Sequence, residues 1–552
     1  MYKRMLITSL SVILLTLTDI CAARPNLIVV ISLDQFPYTY LVRFKDHFGE
    51  GGFRYLMDNG ANFSNSTYKH SLNMTGPGHA VILSGAYGNQ NGIFANDWYN
   101  TATKETVYCV SDNTVRTVGA VGAGRSPAHF IGSTLGDELR VQSNFQSRVI
   151  SISNKDRAAV LLGGKFANAA YWMVDSAFVT SSYYMNSLPD WVNAFNSSGL
   201  MNSYFGKKWE RALAEEAYEL MDQDGAPYEN DDNGLGRVFP HTVAGTDTDK
   251  ITKSYYYALV ASPFGNEILA SFVKEAIRAE QLGQRDVSDL LCISFSSNDY
   301  VGHAFGPHSH EVLDMAVRTD RILADLFAFI DTELGLRNCM LVLTSDHGVG
   351  PIPEYLMAKN QHVQAGRVMS NAVAEYCTRV LTRTFGGVKR GTTWINSVLN
   401  NNIYISGEAV RQKRVSVAEA ARVLTNAMLD MKGIALAFTQ SDMLALVPSS
   451  TIEQRMKRSF HRTHGGDVFY ALKPHYIEGP RAAGHGEPYE YDAHVPLILV
   501  GDGIRPGTYA TEASPADIAP TLSALLGIEF PSGREGRVLG EALGPRQTSP
   551  TK

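Results

Sequence analysis

The run Asn26-Leu-Ile-Val-Val-Ile-Ser-Leu33, apolar almost throughout, rich in β-branched residues and ended by Asp34, constrains this chain more than any other feature. A run so short, with no polar alternation, reads as a strand covered on both faces, as in a parallel sheet clothed in helices. Runs of the same character occupy 148–153, 289–295 and 338–344, and each gives way at once to polar or charged residues. Helical patterns lie between them. The clearest is Ser309–Leu334, where Val312, Met315, Ile322, Leu323, Leu326, Phe329 and Ile330 recur at three- and four-residue spacings and form a core-facing stripe. The predicted fold is α/β, with a central, mostly parallel sheet flanked by helices. Its 552 residues suit one large domain over 24–545, decorated by less regular insertions at about 163–284 and 351–480 that frame a site. The tail, 546–552, is expected to fray.

Charge limits the partners. A net charge of -6 argues against a nucleic-acid surface, which needs an excess of Lys and Arg, so any phosphate recognition must be local. At the N-terminus, Lys3 and Arg4 precede the apolar run Met5–Leu17 and the small residues Cys21, Ala22 and Ala23, the layout of a signal peptide over 1–23. The run is shorter than the ~20 residues that span a bilayer. Export to the periplasm or the medium is expected, without stable membrane insertion after cleavage. Acylation of Cys21 is disfavoured, because Thr18-Asp19-Ile20 lacks the small residues such a site needs. Cys109, Cys292, Cys339 and Cys377 show no metal-type spacing; export permits a disulfide, but none is predicted.

In open α/β sheets ligands bind beyond the carboxyl ends of the strands, so the residues just after the runs matter most. Potential metal ligands stand in four places: Asp34; Asp299 and His303 of SSNDYVGHAFGPHSH; Asp346 and His347 of LTSDHG; and His485 of AAGHGEPYEYDAHVP. Carboxylates mixed with imidazoles suit zinc, and two Zn2+ with three protein ligands each would use all of them and leave positions open for a reacting group. Thr75-Gly-Pro-Gly-His-Ala80 reads as a helix start with Thr75 at or near the N-cap, where backbone N–H groups attract an anion. Its hydroxyl becomes a nucleophile only if something removes the proton, as coordination to zinc would. In Asn154-Lys-Asp-Arg157, an extended chain would send Lys155 and Arg157 to one face and Asp156 away, making a phosphate clamp. Asn96 adds an amide donor nearby. Each motif alone has an ordinary structural reading; jointly, after separate strands, they point to phosphoryl chemistry.

Taken together, these motifs resemble the alkaline phosphatase superfamily, most closely its secreted bacterial PafA-type branch, whose nucleophile is threonine. The resemblance runs from Asp34 to the segment Asp517–Gly527. It implies an alkaline-phosphatase-like sandwich with one zinc on Asp299, His303 and His485 and the other on Asp34, Asp346 and His347, with Thr75 bridging to it. It also implies that Asn96, Lys155 and Arg157 contact the phosphate. The expected activity is hydrolysis of diverse phosphate monoesters through a phosphothreonine intermediate. Asp492 and His494 are candidates for orienting His485, beside a plain structural role. The runner-up is a phosphodiesterase of the nucleotide-pyrophosphatase type, disfavoured because a three-residue clamp suits a monoester dianion. A sulfatase is disfavoured because Thr75 and His79 stand where a Cys or Ser and an Arg would be needed. A phosphoglycerate mutase conflicts with export, and a non-catalytic exported binding protein would show a broken ligand set. The oligomeric state is left open, a monomer included.

Overall fold

The computed structural model describes residues 24–545 except Asp232; the expected signal peptide and terminal tail lie outside the described residues. Its main sheet contains β1 (Leu27–Leu33), β2 (Ala61–Phe63), β3 (Thr117–Val118), β4 (Val149–Ser153), β5 (Ala169–Val174), β6 (Ala177–Ser181), β7 (Asp289–Phe295), β8 (Cys339–Thr344), β9 (Leu497–Val500) and β10 (Gly507–Tyr509). The order across the ten strands is β10-β2-β9-β8-β1-β7-β4-β5-β6-β3. The middle of the sheet, β8-β1-β7-β4-β5, is parallel throughout. Antiparallel pairing begins at β9 on one side and β6 on the other. All four predicted runs are therefore neighbours running the same way, and the residues that follow them emerge along one edge.

The helices that matter for the site are α1 (Thr75–Ser84), α2 (Asp156–Gly163), α3 (Pro263–Ala279), α4 (Ser297–Phe305), α5 (His310–Leu334) and α6 (Ile518–Leu526). Side chains alternate along β1. Leu27, Val29, Ile31 and Leu33 join Ile268 and Phe272 of α3 and Leu323 and Leu326 of α5 in one apolar layer. Ile28 and Val30 join Ile82 and Leu83 of α1 and Leu522 of α6 in the other. Every residue of β1 is buried, which is why its sequence has no polar alternation. The long amphipathic pattern forms α5, and Ser309 caps it by accepting from the Val312 N–H.

Two sequence expectations need correction. The segment 163–284 is not wholly an insertion, since β5 and β6 belong to the main sheet and α3 to its covering layer. Tyr171 and Trp172 make β5 look unlike the aliphatic runs beside it, which hid it. The second correction concerns Asn154–Arg157, which is not extended throughout: Lys155 is the extended N-cap of α2 and Arg157 lies inside the helix. Residues 351–480 include a separate four-stranded sheet, Ile395–Leu399, Asn402–Ile405, Val468–Leu472 and Ile434–Thr439 in spatial order. It has its own core, with Val373, Cys377, Leu424 and Tyr470. Cys109, Cys292, Cys339 and Cys377 are buried and unpaired.

Candidate active site

Parallel strands bring the candidate ligands to one place. Asp34 follows β1, Asp299 and His303 lie one turn apart on α4 after β7, Asp346 and His347 follow β8, and His485 enters from a loop before β9. Asp299 Oδ1, His303 Nε2 and His485 Nε2 form a triangle with sides of 3.3, 3.5 and 3.2 Å. His347 Nε2 lies 3.5 Å from Asp34 Oδ1 and 3.4 Å from Asp346 Oδ2. Two ligands on one tetrahedral zinc, with bonds of about 2.0–2.1 Å, stand roughly 3.3 Å apart, so both spacings fit. His347 also lies between the groups, its ring stacked on His485 at 3.7 Å.

Hydrogen bonding supports the fit. His303 Nδ1 donates to the Ala483 carbonyl at 2.9 Å, His347 Nδ1 to Gly348 at 2.9 Å, and His485 Nδ1 to Asn73 at 2.7 Å. A carbonyl only accepts, so each imidazole carries its proton on Nδ1 and turns the Nε2 lone pair inward. Asp34 Oδ1, Asp346 Oδ2 and His347 Nε2 are buried without a hydrogen-bond partner. Buried polar atoms are normally satisfied, and a metal ion would satisfy these together.

Burial and close charges pull the titratable groups of the site in opposing directions. Burial, reinforced by Asp346, pushes Asp34 up to about 7, although Lys155 pulls against it. Burial disfavours ionised Asp299 too, but Lys155 and His303 outweigh it and hold the carboxyl well below its usual range. For Asp346, His347 and His79 outweigh burial in the same way. Burial drives His347 down to about 3 and lowers His303, whereas the Asp299 carboxylate outweighs burial at His485 and raises it.

The second half of the site surrounds Thr75. It is the first residue of α1, with Met74 rather than Thr75 at the cap, and it is buried. The turn is tight: a Cβ on Gly76 would lie 3.0 Å from Asn96 Oδ1, and one on Gly78 only 2.2 Å from the Asp346 carbonyl. The Gly76 N–H donates to Asn96 Oδ1 at 2.7 Å, which brings Asn96 beside Thr75. Arg157 Nη2 donates to Thr75 Oγ1 at 3.1 Å, while its buried Nε has no partner. Lys155 Nζ lies 2.8 Å from Asp34 Oδ2 and 2.6 Å from Asp299 Oδ2, between the two ligand groups. Burial works against its charge, but those carboxylates outweigh burial and raise its pKa. A cavity of about 260 Å³ lies beside the pair, lined in part by Arg125, Trp172 and Tyr300.

Sequence reasoning missed Gln35. With φ 61° it turns back over the site, donating its N–H to Asp346 Oδ1 at 3.1 Å and Nε2 to Asp299 Oδ1 at 2.7 Å, so one residue ties both ligand groups together. An amide beside Asp34 was the only available signal. His79 was noted only where an arginine would stand in a sulfatase; it links the Thr75 carbonyl at 2.8 Å to Ser294 Oγ at 2.8 Å. Asp492 makes no direct hydrogen bond to His485 but accepts the Glu487 N–H at 2.9 Å, and His494 stacks on Tyr38 and bonds the Ser64 carbonyl.

A family model for type I phosphodiesterase / nucleotide pyrophosphatase matches residues 28–444. Alkaline phosphatase PhoV of Synechococcus elongatus is 34% identical over 527 residues, covering 94% of this chain and 93% of that protein. A protein of Myroides odoratus named calcium-transporting ATPase is 32% identical, covering 94% of this chain and 95% of that protein. The crystal structure of alkaline phosphatase PafA, 29% identical, matches with a TM-score of 0.88 over 95% of this chain and 100% of that one. The chain belongs to the type I phosphodiesterase / nucleotide pyrophosphatase family, on the PafA-type branch of the alkaline phosphatase superfamily.

Proposed function

We propose that this protein is a phosphate monoester hydrolase in which Thr75 is the nucleophile and a phosphothreonine the intermediate. The observation that carries the reading is the Arg157 guanidinium on Thr75 Oγ1, with Lys155 Nζ set between Asp34 and Asp299. Thr75 Oγ1 forms a bond to phosphorus as the ester P–O bond breaks and the alcohol leaves; water then attacks phosphorus, the threonine oxygen departs, and inorganic phosphate is released. Zinc on Asp34, Asp346 and His347, and on Asp299, His303 and His485, would supply the charge that favours an ionised Thr75 and an anionic leaving oxygen. Arg157 places a fixed positive charge on the attacking oxygen and has a buried Nε–H without a protein partner, which a phosphoryl oxygen would satisfy. Lys155 offers a point charge and Asn96 an amide, so the three read non-bridging oxygens. A monoester dianion uses all of them, whereas a diester has one charged oxygen fewer and a second substituent to house.

The names of relatives bear on this unevenly. Two alkaline phosphatases favour the monoester, the family's name admits the diester, and the Myroides name concerns transport. Among the described residues no helix is long and apolar enough to cross a membrane. The reading includes export and cleavage after Ala23, for which the mass of the mature N-terminus is the measurement. Hydrolysis of an aryl phosphate monoester and its matching diester by zinc-loaded protein tests the chemistry, with Thr75→Ala and Lys155→Ala/Arg157→Ala in parallel. Monoester preference is expected, with monoester hydrolysis falling by roughly 10³-fold or more in both variants. Diester preference with little effect of the double variant would move the protein to the phosphodiesterase reading.

A further inference from the structure

The four-stranded sheet outside the main core sends one hairpin into the site. Ile395–Leu399 and Asn402–Ile405 pair antiparallel, with Leu399 opposite Asn402, so Asn400 and Asn401 alone make the turn. Both have positive φ, 48° and 59°, as two-residue hairpin turns of the tightest type require. Hairpin tips normally lie in solvent, yet Asn401 is 4% exposed. Its Nδ2 donates to Glu487 Oε1 at 3.2 Å, and the Leu472 N–H of the same small sheet donates to Glu487 Oε2 at 3.2 Å. Glu487 passes the restraint on. Its carbonyl accepts from Asn73 Nδ2 at 2.7 Å, and the Asn73 carbonyl accepts from His485 Nδ1 at 2.7 Å. The other tip residue points elsewhere: Asn400 Nδ2 donates to the Asp97 carbonyl at 2.7 Å, beside Asn96, whose own carbonyl accepts the Cys109 N–H at 2.9 Å.

We propose that Asn400 and Asn401 are positioning residues through which the small sheet holds two separate arms of the active site, Asn401 orienting His485 and Asn400 orienting Asn96. The inference rests on the reading above that His485 holds zinc and Asn96 meets the phosphoryl group. A tip that only reverses the chain would be served as well or better by glycine, which adopts positive φ without strain. Here the side-chain amides reach two chain segments far apart in sequence, and turn formation requires neither contact.

Glycine substitutions separate the two roles because they leave the turn unstrained and remove only the amides. Asn401→Gly is expected to lose zinc roughly tenfold faster to a chelator, measured as zinc per chain over time, with inhibition by inorganic phosphate little changed. Asn400→Gly is expected to show the reverse, with zinc retained and inorganic phosphate binding roughly fivefold weaker. Glu487→Ala, which removes both side-chain acceptors, is expected to lose zinc faster as well and so checks the same link from the other side. Wild-type zinc retention and phosphate inhibition in both glycine variants, or equal losses of both properties in each, would overturn the proposal. His485→Ala and Asn96→Ala run beside them: if these too leave zinc and phosphate binding unchanged, it is the reading of the site that fails.

Discussion

At the residue scale the site is a set of side chains whose roles depend on what lies behind them. The three imidazoles could not have been assigned a tautomer from sequence, yet each gives its Nδ1 proton to a carbonyl, His347 to its neighbour Gly348 and His303 and His485 to the distant Ala483 and Asn73. The structure brings Asp34, Asp299, His303, Asp346, His347 and His485 together, and all six could be picked out from sequence as candidates, because metal-ligand chemistry restricts the residue types and strand ends restrict their places. Gln35 was not, since its importance comes from φ 61° and from two partners more than 250 residues away, at Asp299 and Asp346. Gln35→Gly keeps the backbone conformation and the N–H bond to Asp346 but removes the bond to Asp299. Zinc affinity at the Asp299 group is expected to fall about tenfold, read by chelator competition. Unchanged affinity would show that Asp299 is oriented without it.

At the element scale, α1 carries only three polar side chains, Thr75, His79 and Ser84, and still lies at the candidate site. All ten of its residues are buried, and its first turn is pressed against the strand-end segment at Asp346. Gly78→Ala would drive a methyl group into the Asp346 carbonyl, which is backbone and cannot swing aside. A loss of about 1–3 kcal/mol in a denaturant titration is expected, with a fall in kcat/KM because any shift of α1 carries Thr75 with it. Full stability and activity would mean the helix has room that the structure denies. The clamp teaches a related point. Lys155 and Arg157 do meet one space, but through a cap and the first turn of α2, where the extended alternation expected from sequence does not apply. That the two side chains share a space could be expected from sequence; the local geometry that joins them was not readable from three letters.

For the whole molecule, stability should carry a pH dependence separable from catalysis. Glu229 is buried, and desolvation, with Glu311 nearby, pushes its carboxyl up to about 9 from 4.5. The folded protein thus holds this proton through a range in which the unfolded chain has lost it, so stability falls as pH rises between those values. Glu229→Gln is expected to raise the thermal midpoint at pH 8.5 by a few degrees and to leave it nearly unchanged at pH 4.5; equal shifts at both would disprove the assignment. Sequence alone determined the parallel core, because strands covered on both faces must be apolar without alternation, and it singled out the candidate ligand and clamp residues, because few residue types suit a metal or a phosphate. The tertiary structure alone decided that β5 and β6 join that core, that Gln35 spans the candidate ligand groups, and that a hairpin from a separate sheet meets Glu487 and the Asp97 carbonyl, close in the chain to His485 and Asn96. The physical reason is common to all three: these roles rest on hydrogen bonds and burial between segments distant in the chain, where neither periodicity nor composition leaves a mark.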